Sequence, residues 1–292
     1  AYEIMPSLVG SEMCIRVRFP PKPTAPVKTI YDTLNELKKL SPDFISVTYG
    51  AGGGKNNNET FKIASAVKSL GIESAAHLPC IGLTKEDVSD KLQELKERGI
   101  ENILALRGDI PNEGYVQGDF EYASDLISYI RSQGDFNIIA ACYPEGHIEA
   151  KDIIEDIQNL KIKVESGADH LISQLFFNND YFYSFRERCQ LAGINVPIEA
   201  GIMPVVNKRQ IERMTSLCGA SVPKKFAAMM ERYENNPIAM RDAGIAYAID
   251  QIVDLITQGV DGIHLYTMNN PYIARKIYEA IHSLRIKTIS EN

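Results

Sequence analysis

Several short apolar runs in this chain end on side chains that a buried strand has no need of: Thr48 and Tyr49, His77, Arg107 with Asp109, Tyr143 with His147, Gln174, and Tyr266. A single His or Gln beside a strand is usually a structural group satisfied by its neighbours. Polar ends repeated along one chain point instead to a common pocket, since burying such groups costs free energy unless they are paired or used. Cations, carboxylates, amides and phenols of this kind suit the binding of a polar ligand and the handling of charge. Other chemistries are weaker. YGAGGGK (49–55) is not a phosphate-binding P-loop, because Tyr49 stands where its first Gly belongs and Asn56 follows the Lys. It reads as a turn whose backbone a ligand could approach closely. No GxGxxG follows the first strand, so a Rossmann nucleotide site is unsupported. His147-Ile148-Glu149 begins like the HxE of zinc deaminases but lacks the PCxxC partner. Cys142 could be a nucleophile with His147, but a small buried thiol explains it better. Asp109 and Glu145 form only a weak case for glycoside hydrolysis.

Something must hold these residues at one end of a scaffold. The apolar runs are 15–19, 44–50, 72–78, 102–108, 137–143, 170–177, 196–202 and 262–267, each short and bounded by Gly, Pro or polar residues. They predict buried parallel strands. Helical periodicity fills the gaps, as in 29–40, 85–99 and 149–167. Thr84 with Asp87 predicts a capping box, and Gly99 and Gly167 predict helix stops. Strand alternating with helix in this way predicts an α/β fold, a (β/α)8 TIM barrel, with a doubly wound open sheet as the alternative. The stretch 216–257 is longer than one crossover needs and predicts an extra helix before the last strand. In such barrels ligands bind at the C-terminal ends of the strands, where the polar residues fall.

The domain reading is a single barrel over 17–292, preceded by an irregular segment, 1–16, that could be non-native sequence. The whole chain has 292 residues, 45% of them hydrophobic, enough for one large core. Its net charge is −7 with no basic cluster, which argues against nucleic acid. Its five cysteines are scattered and form no CxxC, so a disulfide framework or a zinc site is not expected, and a reducing, cytoplasmic setting is. No apolar run reaches the roughly 18 residues of a membrane span, and no signal peptide is expected.

The strand ends lie within longer segments that resemble one family. FISVTYGAGG (44–53), AAHLPCIG (75–82), ALRGD (105–109), YASDLI (122–127), AACYPEGHIEA (140–150), DIQNLKIKVESGAD (156–169), ISQLFF (172–177), GIMPV (201–205) and HLYTMN (264–269) are similar, in order and spacing, to the methylenetetrahydrofolate reductases. The resemblance implies an FAD-dependent oxidoreductase of one-carbon metabolism and methionine synthesis. It would use NADH or NADPH to reduce methylenetetrahydrofolate to methyltetrahydrofolate. It further implies a cofactor pocket of Thr48, His77, Arg107, Gly108, Asp109, Tyr122, Ala123, Tyr143, His147, Ala150, Asp156, Asn159 and Lys163. Arg107, His147 and Lys163 would meet the pyrophosphate. Asp156 and Asn159 would hold ribose or phosphate-proximal groups. Asp109 would tune the flavin and touch the folate, and Gln174 and Tyr266 would touch it too; strand-end hydrogen bonding is the structural alternative for the last two. The family also implies a homo-oligomer and leaves room for an electron-transfer partner protein.

Two residues depart from the pattern. The family carries a general-acid Glu on its first strand, where this chain has Val17, which cannot transfer a proton. Glu12 lies an odd number of residues upstream, so a shift bringing it in would reverse the strand's faces. Three explanations stand: the N-terminal sequence is corrupted, another acid substitutes, or the chain is a flavin-binding subunit or diaphorase-like protein that does not reduce folate. The second departure is Asn270, where the family often has an Arg that could pair with a folate carboxylate.

Overall fold

A computed structural model describes residues 12–17, 27–49, 58–110 and 116–285 of the chain. Most of the glycine-rich loop (50–57) and residues 18–26 lie outside them. Strands and helices alternate: β1 (Glu12–Val17), α1 (Val27–Lys38), β2 (Phe44–Val47), α2 (Asn58–Ser69), β3 (Glu73–Pro79), α3 (Lys85–Glu97), β4 (Asn102–Leu106), α4 (Ala123–Gln133), β5 (Asn137–Cys142), α5 (Ile153–Glu165), β6 (His170–Ser173), α6 (Asn179–Leu191), β7 (Ile198–Ile202), α7 (Lys208–Cys218), α8 (Lys224–Tyr233), α9 (Pro237–Thr257), β8 (Gly262–Tyr266) and α10 (Pro271–Ile281). The fold is α/β, and every residue of β2, β6, β7 and β8 is buried. That is the signature of strands covered on both faces. β1 begins at Glu12, inside the segment whose composition predicts irregular structure. α5 begins at Ile153, later than its periodicity predicts. Turns occupy the residues before it, with Gly146 N–H donating to Tyr143 O and Ala150 N–H to His147 O, both at 3.0 Å.

The described residues form two compact units, one within 14–141 and 159–171, the other within 12–13, 142–158 and 172–285. In the first, β1 to β5 pair in parallel in sequence order, with Val17 opposite Val47 and His77 opposite Leu104. Helix α3 shows how sequence sets an element here. Its Val88, Leu92 and Leu95 repeat at helical spacing and are buried, each contributing about 1.5–3 kcal/mol. The expected capping box is present, Thr84 accepting from Asp87 N–H and the Asp87 carboxylate from Thr84 N–H. Gly99, at φ 66°, ends the helix, with its own N–H on Lys96 O and that of Ile100 on Leu95 O.

In the second unit β7 and β8 pair in parallel, Gly201 opposite His264. The extra helix expected before the last strand is α8. Its Phe226 stacks on Phe177 at 4.3 Å and joins a core with Leu175, Met203, Val205 and Met240.

Candidate active site

In the first unit three loops carrying expected site residues converge on Cys80. The Cys80 N–H donates to Leu106 O and Arg107 O, and the Ile81 N–H to Arg107 O at 2.8 Å. The Cys80 thiol reaches Arg107 O at 3.8 Å and Tyr122 O at 3.7 Å. The ends of β3 and β4 and the start of α4 are thereby fastened to one buried sulfur. Burial, reinforced by the Asp125 carboxylate, pushes that thiol up to about 12, so it stays protonated and serves as a packing group. Gly108 takes φ 89°, and a Cβ there would stand 3.0 Å from both Pro79 Cβ and Ile81 Cγ2. Only glycine lets the Arg107–Asp109 backbone lie this close to the end of β3.

His77 is buried within β3, and Thr48 is buried directly after β2, its carbonyl accepting from the Thr60 hydroxyl at 3.2 Å. Burial pushes the Tyr49 phenol up to about 12, with the Asp87 carboxylate adding to it, so Tyr49 is neutral. Asp109 is exposed. Tyr122 is the residue before α4, its N–H donating to Asp125 Oδ2 at 2.8 Å, and Ala123 opens the helix. On α5, Asn159 is exposed, whereas the Lys163 ammonium turns in and donates to Ala141 O of β5 at 2.6 Å.

The second unit holds the remaining candidates. Tyr143 and His147 meet edge to face, 4.6 Å between ring centres. His147 Nδ1 accepts from Glu149 N–H at 3.1 Å, which leaves the ring proton on Nε2 in the neutral form. Ala150 closes the turn onto His147, and Asp156 is buried on α5. Both carboxylate oxygens of Glu145 accept from Ser221 N–H, at 3.1 and 3.0 Å, tying this loop to the stretch before α8. Gln174 is held by its N–H on Cys142 O at 2.7 Å, and its side-chain oxygen accepts from Leu175 N–H. The Tyr266 hydroxyl donates to Ser173 O at 2.7 Å. It crosses over Gly201, where a Cβ would lie 2.9 Å from the phenol ring. Gln174 and Tyr266 therefore both carry strand-end hydrogen bonds, whatever else they do.

Tyr266 also lines a cavity of about 280 Å³ with Gln210, Thr267, Met268, Asn270 and Ile273, none of them charged. Its floor is a tight turn. Met268 and Asn269 both take positive φ, 51° and 60°, and Asn270 N–H donates to Thr267 O. Two such residues in succession match a type I′ turn, and the repeated Asn at 269–270 was the available sequence signal, Asn tolerating this region. On β1, Val17 pairs with Val47, one residue before the level of Thr48.

A profile of the methylenetetrahydrofolate reductases matches residues 13–282. The chain belongs to the methylenetetrahydrofolate reductase family. It is 36% identical over 269 residues to the 5,10-methylenetetrahydrofolate reductase of Pectobacterium carotovorum, covering 92% of this chain and 89% of that one. It is 36% identical over 267 residues to methylenetetrahydrofolate reductase (NADH) 1 of Arabidopsis thaliana, covering 86% of this chain and 45% of that protein. Among solved structures it shares its fold, at TM-score 0.63 and 13% identity, with a Clostridium thermocellum protein that binds two copies of 5-methyl-5,6,7,8-tetrahydrofolic acid. That alignment covers 94% of this chain and 96% of the other. No helix among the described residues is long and apolar enough to cross a membrane.

Proposed function

We propose that this protein is an FAD-dependent reductase that converts methylenetetrahydrofolate to methyltetrahydrofolate with electrons from NADH. The observation that carries the reading is the family match running over 13–282, which takes in the expected flavin residues together with Gln174 and Tyr266. A protein that only binds flavin would need the former and not the latter, so the reductase is preferred over the flavin-only alternative. The name of the Arabidopsis relative supports NADH as donor. The folate ligand of the Clostridium protein, on a shared fold, supports a folate substrate. Eight strands alternating with helices, with β1 to β5 and β7 with β8 paired in parallel in sequence order, support a (β/α)8 barrel, the domain spanning 17–292. Scattered cysteines, with Cys80, Cys189 and Cys218 unbridged, support a reducing, cytoplasmic setting.

The residues fit the cofactor by their chemistry. Arg107, His147 and Lys163 supply donors for a pyrophosphate. Asp156 and Asn159 offer acceptors to ribose hydroxyls, and Ala150 a small side chain. Thr48, His77, Gly108, Tyr122, Ala123 and Tyr143 supply hydroxyls, rings and close backbone for the rest. The glycine at 108, where a Cβ would be blocked, is the mark of a backbone shaped for close approach. Bound FAD supplies hydride transfer from nicotinamide to the folate methylene. The Asp109 carboxylate disfavours added negative charge nearby and accepts hydrogen bonds from the pterin, while Gln174 and Tyr266 orient the folate. Val17 supplies no proton, so proton delivery limits the rate of this chain. The test is direct: purified protein is assayed for bound FAD and for 5-methyltetrahydrofolate formed from methylenetetrahydrofolate and NADH. Product formation supports the reading, and absence of FAD binding refutes it.

A further inference from the structure

We propose that Glu199 and His264 are positioning residues for the folate, acting through the ring of Tyr266. The proposal rests on the reductase reading, which supplies the substrate and gives Tyr266 and Gln174 their folate contacts. A carboxylate and an imidazole lie buried together on β7 and β8, each side chain 1% exposed, with Glu199 Oε2 3.2 Å from His264 Nδ1. Two apolar side chains would fill the same space without the desolvation that a buried charge costs, so the pair points to a use beyond stability. A carboxylate oxygen can only accept, so His264 Nδ1 carries the hydrogen and the bond fixes the plane of the ring.

That ring supports Tyr266. His264 and Tyr266 are two apart on β8 and so point to one face. Their rings meet edge to face, 5.2 Å between centres and 70° between planes. Gly201 stands opposite His264 on β7, and Glu199, two residues before it, shares its face. The glycine lets the phenol cross β7, since a Cβ there would lie 2.9 Å from Tyr266 Cε2. Beyond it the Tyr266 hydroxyl donates to Ser173 O at 2.7 Å. The Ser173 hydroxyl accepts from Gly201 N–H at 2.8 Å and donates to Gln174 O at 3.0 Å. The tyrosine is thus held at its tip by β6 and along its edge by His264, and the same serine holds the backbone that presents Gln174. A His264 ring released from Glu199 can turn and let the phenol tilt, which displaces the groups expected to orient the folate. None of the expected flavin residues belongs to this set.

The experiment measures the steady-state KM for methylenetetrahydrofolate and the rate at which NADH bleaches the bound flavin. Glu199→Leu removes the acceptor at similar volume, and Glu199→Gln keeps one. Glu199→Leu/His264→Phe removes both members together, which avoids stranding one of them and should fold as the wild type does. Glu199→Leu is also placed in a Tyr266→Phe background, a cycle that tests the route. Glu199→Leu and the double variant are expected to raise the folate KM about three- to tenfold, the scale of one hydrogen bond, while Glu199→Gln stays within about twofold of the wild type. Bleaching by NADH should be unchanged in all three. In Tyr266→Phe, Glu199→Leu should raise the folate KM no further. An unchanged folate KM in the double variant overturns the proposal, as does an equal rise with and without the Tyr266 hydroxyl. Loss of FAD along with folate turnover in every variant assigns the pair to stability alone and overturns it too. A wild type that never turns over folate refutes the reductase reading before any variant is compared, and the proposal with it.

Discussion

Replacing Gly108 by alanine tests whether the Arg107–Asp109 backbone is shaped by close contact. The residue has φ 89°, and its new Cβ would stand 3.0 Å from Pro79 Cβ and Ile81 Cγ2, against an optimum of about 3.5–4.0 Å for carbon pairs. Proline at one contact cannot swing away. Gly99 provides the control, with φ 66° and nothing within 4 Å of an added Cβ. Both substitutions force a side chain into left-handed backbone at about 1–2 kcal/mol. Only Gly108→Ala adds overpacking, about 1–3 kcal/mol more. At about 2–4 °C per kcal/mol for a chain of this size, Gly99→Ala should lower Tm by roughly 2–8 °C and Gly108→Ala by roughly 4–20 °C. Thermal unfolding followed by circular dichroism reads the difference, and FAD titration by flavin fluorescence reads the site. Gly108→Ala should also weaken FAD binding, because the contact would displace Arg107 and Asp109. Equal Tm losses for the two variants would refute the contact argument. A full Tm loss with unaltered FAD affinity would refute the placement of these residues at the flavin.

Further outcomes follow from single groups. Thr84→Ala removes the capping box of α3 and should cost about 1 kcal/mol at neutral pH by denaturant unfolding. Hydrogen bonds from the Thr84 backbone and hydroxyl hold the Asp87 carboxyl below its usual range, so its contribution is present above the unfolded pKa of about 3.9 and is lost as pH falls through the folded value. The deficit of Thr84→Ala should therefore narrow below about pH 4; a constant deficit down to pH 2 would contradict the role of Asp87. Tyr266→Phe removes a buried hydrogen bond of 2.7 Å to Ser173 O and should cost about 1 kcal/mol of stability, with a raised KM for folate if the hydroxyl also serves the substrate. Asp109→Asn should raise the flavin midpoint potential and slow reoxidation by folate on the order of tenfold, the scale of one lost hydrogen bond to a charged group, as read by stopped-flow absorbance.

Much of this architecture was readable because its elements are locally consistent. The capping box at Thr84, the stop at Gly99 and the apolar spacing of α3 all specify one helix with one buried face, and α8 was visible as surplus length before β8. The start of α5 was misread because Glu149 to Asp152 continue its polar–apolar rhythm, while the turns that claim those residues depend on backbone bonds to Tyr143 and His147 that periodicity does not encode. The candidate residues at strand ends were visible as polar groups interrupting apolar runs. What each one touches was not. Gln174 and Tyr266 read as ligand contacts, yet their polar atoms bond Leu175 N–H and Ser173 O. The buried Glu199–His264 pair, 3.2 Å apart on neighbouring strands, has no signal in the sequence, since only strand pairing brings the two together.

The most direct test of the central claim separates the two half-reactions. Anaerobic protein carrying FAD is first bleached with NADH, then mixed with methylenetetrahydrofolate while flavin absorbance is followed, in the wild type and in Val17→Glu. The reductase account predicts bleaching in both, slow return of colour in the wild type with 5-methyltetrahydrofolate as product, and a return faster by about 10²–10⁴ when the acid is supplied at residue 17. Flavin that bleaches fully and stays reduced with folate in both proteins would contradict it.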